Sequence, residues 1–277
     1  MPSSSRLILI TDNRDMATGL KNLISYCEAR GVRIALVGAL APAVLINGPI
    51  RGSMRFGNRE TRDADSLVEL HSWEEWKMFI EGLVALGFQR DKQEYRLRYG
   101  KAEFDLVPYG AMVTDKQVLT WPSSQLEMNM IGSSDALNSA KMTEVLPDIS
   151  LPVAQLWSII GLKIAAYRDR RFPRDLSDIV YIADEFERSD PQTRRYDVLG
   201  EANELTFEQA GAYLLGSDIK AYGSVESVAH SKEFLKSVED EYSVIIATVL
   251  REENRAFSDS RRTYVYNLFR ALYLGIQ

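Results

Sequence analysis

A single cysteine, Cys27, occurs in 277 residues, so no disulfide can form within the chain. It lies in a helix-patterned stretch and reads as a small buried hydrophobe. A chain without disulfides fits a reducing compartment. The two histidines, His71 and His230, are far apart and have no Cys/His spacing that would suit a zinc site. Positive charge is not in surplus: 33 Lys and Arg face 39 Asp and Glu, a formal net charge of −6. Proteins that coat nucleic acid usually carry a basic excess, because phosphate neutralisation supplies most of that affinity. A small phosphorylated ligand, or an RNA held by a local patch, stays compatible with the charge. No apolar run reaches the length that crosses a bilayer, and the one after Met-Pro-Ser-Ser-Ser-Arg is too short for a secretory core. The expectation is a cytoplasmic protein with no membrane partner. Ser133-Ser134 and the other serines lack a Gly-x-Ser-x-Gly context. There is no P-loop and no dinucleotide fingerprint.

The residues that are present suit a globular chain of one large or two modest domains. Apolar residues make up 45% and charged residues 26%, enough for a sizeable core. The first half mixes helix and strand patterns. Leu20, Leu23, Ile24 and Cys27 carry helical spacing over 16–30, and Gly31 is a natural stop. Val32 to Val37 is β-like, and Gly38 follows with helix-compatible residues Ala39 to Leu45. Asp63 to Leu70 predicts a strand. Ser72 predicts an N-cap, with Glu75 three residues on. Glu94 to Tyr99 and Ala102 to Val107 predict two strands joined by a tight Gly100-Lys101 hairpin. From about residue 151 the pattern turns helical, over 151–167, 174–187, 206–216, 232–256 and 261–275. Pro147 and Pro152 bracket the change and disfavour a continuous helix there. The expectation is therefore α+β: a mixed sheet with flanking helices over 1–148, then an all-helical domain over 149–277.

Asp63 and Asp65 are two residues apart, which on a strand puts both carboxylates on one face. Such neighbours repel unless a cation lies between them. Mg²⁺ prefers oxygen ligands and often joins one or two carboxylates to substrate phosphates. Asp105 is an acid inside the otherwise apolar run Phe104-Asp105-Leu106-Val107-Pro108, a costly place for a charge without compensation. If its strand pairs beside the Asp63 strand, three carboxylates converge and can hold two metals. An Asp-x-Asp pair alone is most often a loop or strand-start feature. Its context is Gly38 between a strand and a helix, where backbone amides can cradle a phosphate, and Arg59-x-Thr61 just before the pair.

Val37-Gly38-Ala39-Leu40-Ala41, Arg59-Glu60-Thr61-Arg62-Asp63-Ala64-Asp65 and Phe104-Asp105-Leu106-Val107-Pro108-Tyr109-Gly110 resemble the nucleotidyltransferase core of the polymerase-β superfamily. The likeness is nearest to the AbiEii/MenT-type group of toxin-associated nucleotidyltransferases. Leu162-Lys163-Ile164-Ala165-Ala166-Tyr167-Arg168-Asp169-Arg170 and Arg174-Asp175-Leu176-Ser177-Asp178 resemble that group's third and fourth motifs. The resemblance spans about residues 34 to 187. It implies that Asp63 and Asp65 bind two Mg²⁺ ions, or Mn²⁺. It implies that Asp105 ligates the second ion and helps activate an acceptor hydroxyl. Gly38, Ala39, Arg59, Thr61 and Lys163 would contact the nucleoside triphosphate, and Asp178 matches the fourth-motif acid. Pyrophosphate would leave. The chain departs from the group at Ala39, where Gly or Ser is usual, and at Ser66, where an apolar residue is more common. The acceptor implied is tRNA or another RNA, with a cognate antitoxin as partner. The alternatives are a protein or small-molecule acceptor, and a nucleotide-binding regulatory module without turnover. The sequence does not choose among ATP, CTP, GTP and UTP.

Plainer accounts compete at several positions. Lys163 edges the apolar stripe of Val153, Leu156, Trp157, Ile160, Ile164 and Tyr167, where a lysine often reaches out to water. Asp175 follows Pro173 and suits an N-cap, and Asp178 suits the helix dipole. Trp73 and Trp76 read as core. Arg51, Arg55, Arg59 and Arg62 form one cationic run, and Arg168, Arg170, Arg171 and Arg174 another, which suit a triphosphate or an RNA.

Overall fold

The structure is a computed structural model of the chain. It describes residues 10–50, 55–56, 59–60, 63–190, 192–201, 205–255 and 258–277. In chain order the first elements are α1 (Ile10–Arg30), β1 (Ile34–Leu36), α2 (Leu40–Asn47), β2 (Arg55–Phe56), β3 (Arg59–Glu60), β4 (Asp63–Leu70) and α3 (Trp73–Ala85). Then come β5 (Gln89–Arg90), β6 (Arg96–Tyr99), β7 (Ala102–Gly110), β8 (Val118–Thr120), β9 (Glu127–Asn129), α4 (Ser133–Ser139), β10 (Lys141–Leu146) and β11 (Ile149–Val153). Seven helices complete the chain: α5 (Leu156–Arg170), α6 (Pro173–Glu185), α7 (Arg195–Glu201), α8 (Phe207–Tyr222), α9 (Val225–Lys236), α10 (Val244–Glu252) and α11 (Asp259–Ile276). The chain divides into two compact units. Residues 1–114, 120–126 and 140–153 form the first, and 115–119, 127–139 and 154–277 the second.

The first unit is built on a seven-stranded sheet in the order β10-β11-β1-β4-β7-β6-β5. It is mixed: β1 with β11 and β4 with β7 run parallel, while β1 with β4 and β6 with β7 run antiparallel. Residue alternation sorts its two faces. On β7, Ala102, Phe104, Leu106 and Pro108 are buried, and Glu103, Asp105 and Val107 between them are half-buried. Helix α1 covers the Phe104 side, where Gly19 lies so close that a β-carbon would meet the Phe104 ring at 2.4 Å. Phe88 packs edge-on against Phe104 at 5.3 Å. Ser72 caps α3 by accepting the Glu75 N–H at 3.1 Å, and the Glu75 carboxylate accepts the His71 N–H at 2.7 Å. Trp76 leans on the fully buried Trp121, as does Trp73, each at 5.6 Å. Trp76 belongs to the core, and Trp73 is half-buried at its margin.

The Pro147–Pro152 stretch is the turn and second arm of the β10–β11 hairpin, with Asp148 at φ 61°. Ile149, Leu151 and Val153 are buried and alternate with exposed Ser150 and half-buried Pro152. This is a strand period, so the helix expected from residue 151 begins only at Leu156. The second unit is helical apart from short β segments. The run 232–256 is two helices: Ser243 starts α10 afresh by accepting the Ile246 N–H at 3.4 Å. Helices α8 and α11 pack backbone to backbone. A β-carbon on Gly275 would lie 2.0 Å from the Tyr213 carbonyl oxygen, and one on Gly216 would lie 2.2 Å from that of Leu272. Among the described residues no helix is long and apolar enough to cross a membrane.

Candidate active site

The parallel pairing of β4 and β7 sets Asp65 opposite Asp105 and Asp63 opposite Glu103. Register partners share a face, so four carboxylates occupy one patch. Neighbouring strands are about 4.8 Å apart and i, i+2 residues about 6.6 Å apart. Two bare like charges at the shorter spacing repel by roughly 3 kcal/mol at an effective dielectric of 20. The next strand supplies the compensation. Antiparallel pairing puts Arg96 of β6 opposite Asp105 and Arg98 opposite Glu103. Two rows therefore cross three strands: Asp65, Asp105 and Arg96, then Asp63, Glu103 and Arg98.

Arg96 grips Asp105 with both prongs of its fork, Nε to Oδ1 at 2.6 Å and Nη2 to Oδ2 at 2.7 Å. Its remaining nitrogen, Nη1, reaches Glu103 at 2.9 Å. Arg98 holds the other Glu103 oxygen at 2.9 Å and also bonds Asp91. The hydrogen bonds that Arg96 donates to Asp105 hold its guanidinium in the charged form well beyond the ordinary arginine range. The hydrogen bond from Arg98 lowers the Asp91 carboxyl below its usual range.

Gly38 closes the other side of Asp65. The Val37 N–H donates to the Asp65 carbonyl at 2.8 Å, bringing the next residue over the Asp65 side chain. Gly38 has φ 65°, and a β-carbon there would lie 1.8 Å from Asp65 Oδ2. Only glycine satisfies both conditions. Ala39 is the N-cap residue of α2 and offers no side-chain acceptor, so the first-turn amides there are not capped by a side chain. Arg59 lies in β3. Thr61, Arg51 and Arg62 lie outside the described residues.

In the second unit Lys163 and Asp178 come together. Lys163 Nζ is 2.7 Å from Asp178 Oδ2 and 3.4 Å from Asp175 Oδ1. Asp175 and Asp178 are 1% and 2% exposed, so this is a buried ionic cluster rather than a lysine reaching for water. Arg170 completes it with a fork on Asp175 at 2.8 and 2.9 Å. Asp175 is not the N-cap of α6; Phe172 takes that position, and Pro173 fills the first turn. The second arginine run is partly committed within the unit, since Arg168 bonds Glu233 at 2.9 Å and Arg170 bonds Asp175. His230 shares a contact with Arg168 at 3.4 Å. The structure thus gathers Asp63, Asp65 and Asp105 in the first unit, and Lys163 and Asp178 in the second.

A family profile for the nucleotidyl transferase AbiEii toxin of type IV toxin–antitoxin systems matches residues 53–263. The chain belongs to the AbiEii family. That match takes in Asp63, Asp65, Asp105, Lys163 and Asp178, and it begins after Gly38 and Ala39. An AbiEii-family chain is a nucleotidyltransferase. Among solved structures, the antibiotic-resistance factor ANT(2'')-Ia aligns at 12% identity over 56% of this chain and 73% of its own, with a TM-score of 0.36. Among curated proteins, none matches.

Arg96, Arg98 and Glu103 of this AbiEii-family chain do not stand out in the sequence, yet a signal for them exists. A two-residue turn at Gly100-Lys101 pairs Tyr99 with Ala102, which forces Arg98 onto Glu103 and Arg96 onto Asp105. Among the described residues, no three His, Cys, Asp or Glu side chains already stand close enough to hold a metal ion. The donor set nevertheless fits Mg²⁺: it is all carboxylate oxygen, and a carboxylate offers about four lone-pair sites, of which the fork takes two.

Proposed function

We propose that this chain moves a nucleotidyl group from a nucleoside triphosphate to an acceptor hydroxyl, with release of pyrophosphate. The observation that carries this reading is the β4–β7 register, which aligns Asp65 with Asp105 and keeps Asp63 on the same face. Asp63, Asp65 and Asp105 would hold Mg²⁺. The chemistry such ions supply when bound is charge stabilisation at the attacking and leaving oxygens of an in-line displacement.

The residues themselves have distinct tasks. Asp63 and Asp65 would supply the carboxylate oxygens through which Mg²⁺ holds the phosphate end of the nucleotide against the sheet. Asp65 can do so only in the place Gly38 leaves for it. Asp105 orients the acceptor hydroxyl and draws on its proton. Gly38 and Ala39 offer backbone amides to the phosphates, and Arg59 and Thr61 add polar contacts. The family resemblance implies a contact from Lys163 to the triphosphate, and within its own unit Asp178 holds the Lys163 ammonium at 2.7 Å. Positioning and electrostatics supply most of the rate in such transfers. The family's description as a type IV toxin–antitoxin enzyme supports a toxin with a cognate antitoxin, and we propose that it acts in the cytoplasm. We propose tRNA or another RNA as the acceptor.

The test is to incubate the protein with Mg²⁺, total tRNA and each α-labelled nucleoside triphosphate in turn, beside an Asp63→Ala/Asp65→Ala control. Label in RNA only with the intact protein supports the reading and identifies the nucleotide. Label confined to protein or a small acceptor would discard RNA and keep the chemistry. No transfer to any of these would overturn the reading.

A further inference from the structure

Asp105 has a fixed cationic neighbour in the site to which the proposed function assigns catalysis, and the role inferred for that neighbour rests on the same function. The Arg96 fork occupies both oxygens of Asp105 at 2.6 and 2.7 Å. The guanidinium is itself held, because Glu103 takes its third nitrogen at 2.9 Å and Arg98 holds Glu103 in turn. A planar fork matched to a carboxylate fixes the carboxylate's plane as well as its place. It also sets a permanent positive charge beside a group that would receive a divalent cation. These two effects act in opposite directions. Orientation favours turnover, and the nearby charge disfavours cation binding.

We propose that Arg96 is a positioning residue with both effects. It fixes the Asp105 carboxylate for the acceptor, and it holds down the site's affinity for a bare divalent cation, so that tight occupancy waits for the phosphates of the nucleotide. In this role Arg96 acts through Asp105. Glu103, paired in the register with Asp63, anchors the guanidinium from the neighbouring row.

Two variants separate the effects. Arg96→Ala removes charge and fork together. Arg96→Lys keeps the charge and loses the fork. The measurements are Mn²⁺ binding without nucleotide, by electron paramagnetic resonance, and kcat and KM for the nucleotide in the transfer assay. Partners that orient a metal ligand typically matter by about 10–100-fold. Arg96→Ala is expected to lose kcat in that range with KM changed less than about threefold, while its Mn²⁺ affinity rises by about tenfold, since a competing charge has gone. Arg96→Lys is expected to lose kcat to a similar degree, with Mn²⁺ affinity near that of the parent. A purely structural defect would lower affinity and turnover together, and that result in both variants overturns the proposal. So does parent-like behaviour of both. Asp105→Asn is measured alongside: full turnover in that variant would sink the catalytic reading of Asp105, whereas loss of turnover there with parent-like Arg96 variants sinks only the role of Arg96.

Discussion

Gly38→Ala is the perturbation whose effect the structure specifies most closely. Two costs arise at one atom. The residue sits at φ 65°, and holding an alanine in the left-handed region costs about 1–2 kcal/mol. The new β-carbon would fall 1.8 Å from Asp65 Oδ2, 2.5 Å from its Cγ and 2.7 Å from its Cβ. The carboxylate must swing away, and an off-rotamer side chain costs about 0.5–1.5 kcal/mol. Together these predict a loss of about 2–3 kcal/mol, or on the order of 5–10 °C in Tm. Activity should fall further than stability. Asp65 would have to move by more than an ångström, and a 1 Å misplacement of a catalytic group can cost about 10²-fold. The assay pairs urea unfolding with nucleotidyl transfer, and adds Asp65→Ala singly and with Gly38→Ala. Truncating Asp65 removes the two shortest clashes and leaves the 2.7 Å approach to its Cβ together with the dihedral cost. The double variant should therefore be more stable than additivity predicts, by about 1 kcal/mol. A Gly38→Ala protein as stable as the parent and active within twofold would refute the reasoning.

Other expectations rest on the same structure. Asp178→Asn removes the nearer anion from a buried Lys163 and should cost about 3–5 kcal/mol, seen as a lower urea midpoint; Lys163→Met combined with Asp178→Leu should recover much of that loss. Gly275→Ala drives a β-carbon into the Tyr213 carbonyl and should destabilise by about 1–3 kcal/mol in thermal unfolding. Burial pushes the Cys27 thiol up to about 12, so the folded protein should react with thiol reagents at pH 8 far more slowly than the urea-unfolded chain. Burial and the Arg168 charge lower the His230 pKa below 6.5. Well above pH 6.5 the ring is neutral in both states. Below it the unfolded chain takes up the proton first, so Tm should fall with acidification, and His230→Gln should flatten that slope.

Much of the sheet is legible from local pattern. Asp63 to Leu70 and Ala102 onward read as strands from their short β-like runs, and Ser72 and Glu75 announce α3. The carboxylate face follows from the i, i+2 spacing. The illegible features depend on pairing. Nothing in residues 149–153 alone says that they form an interior strand between β10 and β1; Val153 fits the helical stripe of Leu156, Trp157 and Ile160 equally well until Leu36 of β1 pairs with it. Arg96 shows the same limit differently. An arginine in a strand reads as a solvated residue until hairpin register places it across from Asp105. Asp175 resembles a cap because Pro173 precedes it, but the Arg170 fork draws its carboxylate away from the helix end. Long-range partners, not local propensity, decide each of these positions.

The central claim is that the α-phosphate of a nucleotide is transferred and that Asp65 is needed. Parallel reactions with α-labelled and γ-labelled nucleoside triphosphate, with the parent and Asp65→Asn, test it most directly. The account predicts covalent product labelled from the α position alone, γ label appearing only in pyrophosphate, and loss of both in Asp65→Asn. Product labelled from the γ position, or undiminished α transfer by Asp65→Asn, would contradict it.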